Sequence, residues 1–261
     1  MRECFDYEER LNLIDHYRTY PDMKVWVGCN FPKMDKKLLL IGESHYLDGT
    51  SYYHHDPENW YEGVCISDKP DRGWIKTRNI ISNGIDTKWK DRSKAIYRNI
   101  EKALFESLMF KVKPLTAFTE VAFMNYFQRP AERTGKSITV SQIDAKVSYD
   151  VFQGVVNAIT PNIVIFTSSL AWQHAKKQGL VGFLKERGVS FARTPHPGMP
   201  WWNRASKAYN NQTGKEHFIE FLNNEVAINS ESIRRYLESH QETIRERFIR
   251  EDIEWGLHGQ D

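Results

Sequence analysis

Several things are scarce or missing in this chain, and each absence narrows its class. No run of about 18 apolar residues occurs, so no membrane-spanning helix is expected. The first ten residues, MRECFDYEER, are too acidic and polar for a secretory leader. There are only three cysteines, Cys4, Cys29 and Cys65, scattered and without a CxxC pair. That excludes a disulfide scaffold, argues against a structural zinc or iron–sulfur site, and fits a reduced, cytoplasmic setting. No internal repeat or low-complexity tract breaks the 261 residues. Neither sign of charge dominates: 36 Lys and Arg stand against 34 Asp and Glu, a surplus of two. Only local patches can then set the field a partner feels.

What is abundant is aromatic: 8 Trp, 12 Tyr and 14 Phe. The most telling phrase is LLLIGESHY, residues 38–46. Four apolar residues end abruptly in Gly42, Glu43, Ser44, His45 and Tyr46. This reads as a buried strand over 37–43 that delivers polar side chains at its C-terminal end. Open α/β sheets bind ligands at that edge.

Three more strands follow the same pattern, at 121–127, 162–167 and 189–194. Helical spacing predicts helices over 5–20 (ended by Pro21), 93–110, 141–159 (capped by Ser141), Ser168 or Ser169 to Lys177 (ended by Gly179), 180–187, 214–226 and 230–255. Strands alternating with helices predict an α/β protein, three layers αβα around a four-stranded parallel sheet. One domain over 1–261 is expected, with a long insertion at about 47–92 and a helical C-terminal extension at about 228–256. An insertion so weakly patterned reads as an active-site covering.

Right-handed crossovers bring all the C-terminal strand ends to one side. Glu43 to Tyr46, Asn125, Thr167 with Ser168, and His196 then surround one cleft. The arrangement resembles the uracil-DNA glycosylase superfamily through GESHY at 42–46, NYFQRP at 125–130 and HPGMP at 196–200. NIVIFTSSLAW at 162–172 is similar to the strand and small-residue turn that precede the superfamily's last helices. The resemblance implies a glycosylase fold over roughly residues 35–222. It also implies hydrolysis of the bond between a sugar and a flipped uracil, or another damaged or modified pyrimidine, in double- or single-stranded DNA.

The candidate catalytic residues are Glu43, for sugar charge and water, His196, for the departing base anion, and Ser44, where many members carry Asp or Asn. Asn125, Tyr46, His45 and Tyr61 are candidates for base contact, with Trp60 a further ring able to stack. Met199, Trp201, Trp202 and Arg204 are candidates for the wedge and DNA contact. No cofactor is expected, since iron–sulfur members use a Cys before the Arg-Pro pair and this chain has Gln128. No metal is expected either, because His54, His55 and Asp56 with Asp48 lack ligand spacing. A monomer without membrane association completes the expectation.

Each residue also has a structural reading. Glu43 can cap the following segment, Asn125 can satisfy loop backbone, and His196 can serve a turn. Lys88, Lys90, Arg92, Lys94 and Arg98 form a solvated face unless they lie beside the cleft. Three other functions stay open: removal of hypermodified bases from phage DNA in defence, a non-catalytic nucleic-acid or nucleotide-binding module, and hydrolysis of a free nucleoside or nucleotide.

Overall fold

A computed structural model describes residues 2–47, 50–63 and 70–227. Its centre is a five-stranded sheet: β1 (Trp26–Val27), β2 (Leu38–Gly42), β3 (Ala122–Asn125), β4 (Ile163–Phe166) and β5 (Ser190–Arg193), in the order β1-β3-β2-β4-β5. The last four strands are parallel, at the positions the apolar runs predict. The four-stranded expectation is corrected by β1, an antiparallel edge strand pairing Trp26 with Phe123. Two residues are too few to show a period-two signal. Its partner, not its own pattern, makes it a strand.

β2 and β4 are buried on both faces, which explains their unbroken apolar runs. Leu39, Ile41, Met124, Val164 and Phe166 face one apolar cluster, and Leu38, Leu40, Phe123, Ile163 and Ile165 the other. Helices α1 (Glu8–Leu11), α2 (Asp15–Thr19), α3 (Pro57–Glu62), α6 (Gln142–Ile159), α7 (Ser169–Lys177) and α8 (Leu180–Glu186) supply the first cluster. Helices α4 (Thr77–Asp86), α5 (Ala95–Glu106) and α9 (Gly214–Ala227) supply the second. Among the described residues no helix is long and apolar enough to cross a membrane.

Two further expectations change. The N-terminal helix over 5–20 is two short helices, because Ile14 turns extended and seats against Gly154. A Cβ on Gly154 would stand 2.8 Å from Ile14 Cγ1. The weakly patterned insertion carries regular structure among its described residues: α3, a 3₁₀ segment (Pro70–Ile75) and α4 run through it, and Trp60, Ile81 and Trp89 are buried. The helix expected over 230–255, the extension at about 228–256, Asp48 and Cys65 lie outside the described residues.

Candidate active site at the sheet edge

Parallel pairing sets the level of the strand ends. Gly42 lies beside Asn125, and the Tyr126 and Phe127 amides donate to the Gly42 and Glu43 carbonyls, at 3.1 and 2.9 Å. On the other flank the Thr167 amide donates to the Ile41 carbonyl at 2.8 Å, and the Thr194 amide to the Phe166 carbonyl at 2.8 Å. Glu43, Asn125, Thr167 and Thr194 therefore leave the sheet side by side, with His196 two residues further on.

Ser168 fixes Glu43. Its hydroxyl accepts the Ala171 amide at 3.2 Å, capping α7, and donates to Glu43 Oε2 at 2.6 Å. The carboxylate is thereby held beside the N-terminus of a nine-residue helix, where partial positive charge favours an anion.

The amide of Gly198 fixes the His196 tautomer by donating to Nδ1 at 3.1 Å. Nδ1 is then an acceptor, and the neutral ring carries its proton on Nε2. Burial pushes the His196 pKa below its usual value, while the nearby Glu43 carboxylate pulls it partly back. At neutral pH the ring is an uncharged Nε2–H donor close to an acid. The same carboxylate reinforces the upward shift that burial imposes on the Tyr46 hydroxyl, so Tyr46 also belongs to this neighbourhood.

Asn125 is buried, and its side chain makes no hydrogen bond to the described residues. It lies over Gly42, where a Cβ would come within 2.3 Å of Asn125 Oδ1. The glycine is needed for this close approach. A carboxamide, an imidazole donor and an anchored carboxylate thus lie at the same end of the sheet, with the carboxylate close enough to the imidazole to influence its charge. Ser44 follows Glu43 past the end of β2, its hydroxyl buried without a partner among the described residues.

Other candidates sit elsewhere. His45 is 5% exposed, and its ring Nε2 lies 3.0 Å from the Thr77 hydroxyl of α4, which in turn reaches the Met23 carbonyl. Burial holds its pKa down at about 4. It ties the insertion to the first motif, so the expected contact with a base is corrected to a structural one. Tyr61 is corrected likewise: its hydroxyl donates to Asp144 at 2.9 Å. Trp60 is buried, stacked on Tyr20, and donates to the Gln128 carbonyl, so it offers no face to a ligand. Trp202 is 1% exposed and packs on Phe218, which removes it from the wedge. Met199 and Trp201 are about half exposed, at 52% and 54%, and Arg204 is exposed.

Arg129, in the sequence the Arg of the NYFQRP phrase, organises the surrounding loops. It is fully buried. Its fork grips both oxygens of Asp144, at 2.9 and 2.8 Å, and its remaining donors reach Glu132, the His54 carbonyl and the Thr139 carbonyl. The available signal was Asp144 itself, three residues after the Ser141 cap and so already committed to a capping box. No group of three or more His, Cys, Asp or Glu is placed to hold a metal ion among the described residues.

The site is therefore built from what it contains. No protein-family model matches this sequence, and no curated protein does.

Proposed function

We propose that this protein is a DNA N-glycosylase that hydrolyses the bond between deoxyribose and a flipped uracil or other damaged or modified pyrimidine. Breaking that bond sends an electron pair onto the base and leaves positive charge on the sugar. The strand ends offer complementary groups for these two ends. Glu43 faces the cationic sugar and takes a proton from the water that attacks it. His196 donates from Nε2 to the base oxygen on which negative charge grows. Asn125 has both an amide donor and an acceptor free for the polar edge of an extruded base. The products are a free base and an abasic site.

The observation that carries this reading is the His196 tautomer, set by the Gly198 amide beside an anchored carboxylate. A neutral Nε2–H donor can hydrogen-bond the base oxygen and strengthens its hold as negative charge grows there. Placement and electrostatics supply the remainder.

The test is excision from a panel of oligonucleotides and phage genomic DNA bearing different bases, scored as alkali-labile sites. Glu43→Gln and His196→Ala should each slow release by about a hundredfold to a thousandfold. Product formed at the wild-type rate by both variants would overturn the assignment.

A further inference from the structure

The proposed chemistry leaves the basic segment 88–98 unused. It holds five basic residues and one acid, a surplus of four where the whole chain has a surplus of two. The rest of the molecule is therefore slightly acidic, and positive charge is concentrated here.

The segment is shaped to show that charge. Lys88 and Trp89 both take left-handed backbone angles, φ 52° and 55°. This turns Trp89 inward, where it is 2% exposed, stacks on Tyr97 and fills the space left by Gly84. A Cβ on Gly84 would lie 1.9 Å from the Trp89 ring. Arg98 locks the turn by donating to the Trp89 carbonyl at 2.6 Å. With Trp89 as the plug, Lys88, Lys90 and Arg92 stand exposed, and their side chains make no hydrogen bond or ion pair with the described residues.

The segment also lies beside the candidate site. It leads straight into α5, whose Asn99 donates to the Pro197 carbonyl at 2.8 Å. Ile96, four residues after Arg92, comes within 3.5 Å of a Cβ built on Gly198. The loop that carries His196 thus rests on the first turns of α5. The same loop presents Met199 and Trp201 to solvent, and Arg204 follows it.

We infer that the turn at 88–92 binds the phosphate backbone of a nucleic acid whose nucleotide enters the cleft at His196. This rests on the nucleic-acid reading of that cleft. Unpaired cations leading into the helix on which a loop with an exposed ring and an exposed thioether rests favour a strand with stackable bases over an acidic protein, which would need no such neighbours.

The experiment is fluorescence anisotropy of the full chain with a labelled DNA duplex of about 20 base pairs, titrated at several salt concentrations. The double variant Lys90→Glu/Arg92→Glu is compared with Lys176→Glu/Lys177→Glu, exposed residues at the far end of α7. The first pair should weaken binding at least about tenfold at moderate salt and lower the salt slope by about two, whereas the second pair should leave both within about twofold. Unchanged binding by the first pair, an equal loss by the second, or polyglutamate competing as well as DNA would overturn the inference. Binding without any base excision would instead sink the glycosylase reading and leave the surface standing. Excision with unaltered binding in the first pair would do the reverse.

Discussion

Ser168 illustrates how one small side chain serves two tasks. The hydroxyl caps α7 and orients Glu43, and these roles are separable by substitution. Ser168→Thr keeps both, so excision should persist near the wild-type rate. Ser168→Asp keeps the cap but sets a second anion against Glu43, so kcat should fall by about tenfold or more with little change in KM. Equal rates for the Thr and Asp variants would show that Glu43 does not depend on this contact. Cap and strand end were both readable in the sequence. The 2.6 Å contact between them was not, because the two residues are 125 positions apart. Glu43, Asn125, Tyr46 and His196 stood out as polar residues closing apolar runs. His45 stood in the same phrase, Tyr61 was a candidate ring for the base and Trp202 a candidate for the wedge; all three are spent on internal contacts.

At the level of elements, the close pairing of β2 with β3 decides where Asn125 can point. Gly42→Ala would drive a methyl group into Asn125 Oδ1 and to within 2.9 Å of the Phe123 ring. The expected result is a stability loss of about 1–3 kcal/mol together with loss of excision beyond what the fold explains. Urea unfolding and single-turnover rates on the same preparation check this, and a fully active Gly42→Ala protein would refute it. The Arg129 clamp joins the loop after β3, the insertion and the start of α6. Arg129→Met strands the buried Asp144 carboxylate and should cost about 3–5 kcal/mol in denaturant unfolding, with Arg129→Met/Asp144→Leu recovering part of it. Element positions were legible where a period or a cap existed, as in α6 with its Ser141 capping box. They were illegible where a neighbour imposed the conformation, as at β1 and at the break before α2.

Across the whole molecule, buried neutral histidines tie stability to pH. Burial lowers His16 to about 3 and His45 to about 4, against 6.5 for the unfolded ring. Between about 4 and 6.5 the unfolded chain binds more protons, so stability present above pH 6.5 should fall as pH drops through that window. Urea midpoints between pH 7 and 4 measure the fall, and His16→Gln/His45→Gln should flatten it. An equally steep fall in the double variant would point to other groups. The sequence by itself determined the parallel strands, the two-sided burial of the central ones and the polar residues at their ends, because period, run length and caps are local properties of the chain. Only the tertiary structure decided which of those polar residues leave the sheet together and which turn inward, which tautomer His196 holds, and where the basic turn lies. Those outcomes depend on contacts between segments far apart along the chain, and no local pattern encodes a distance.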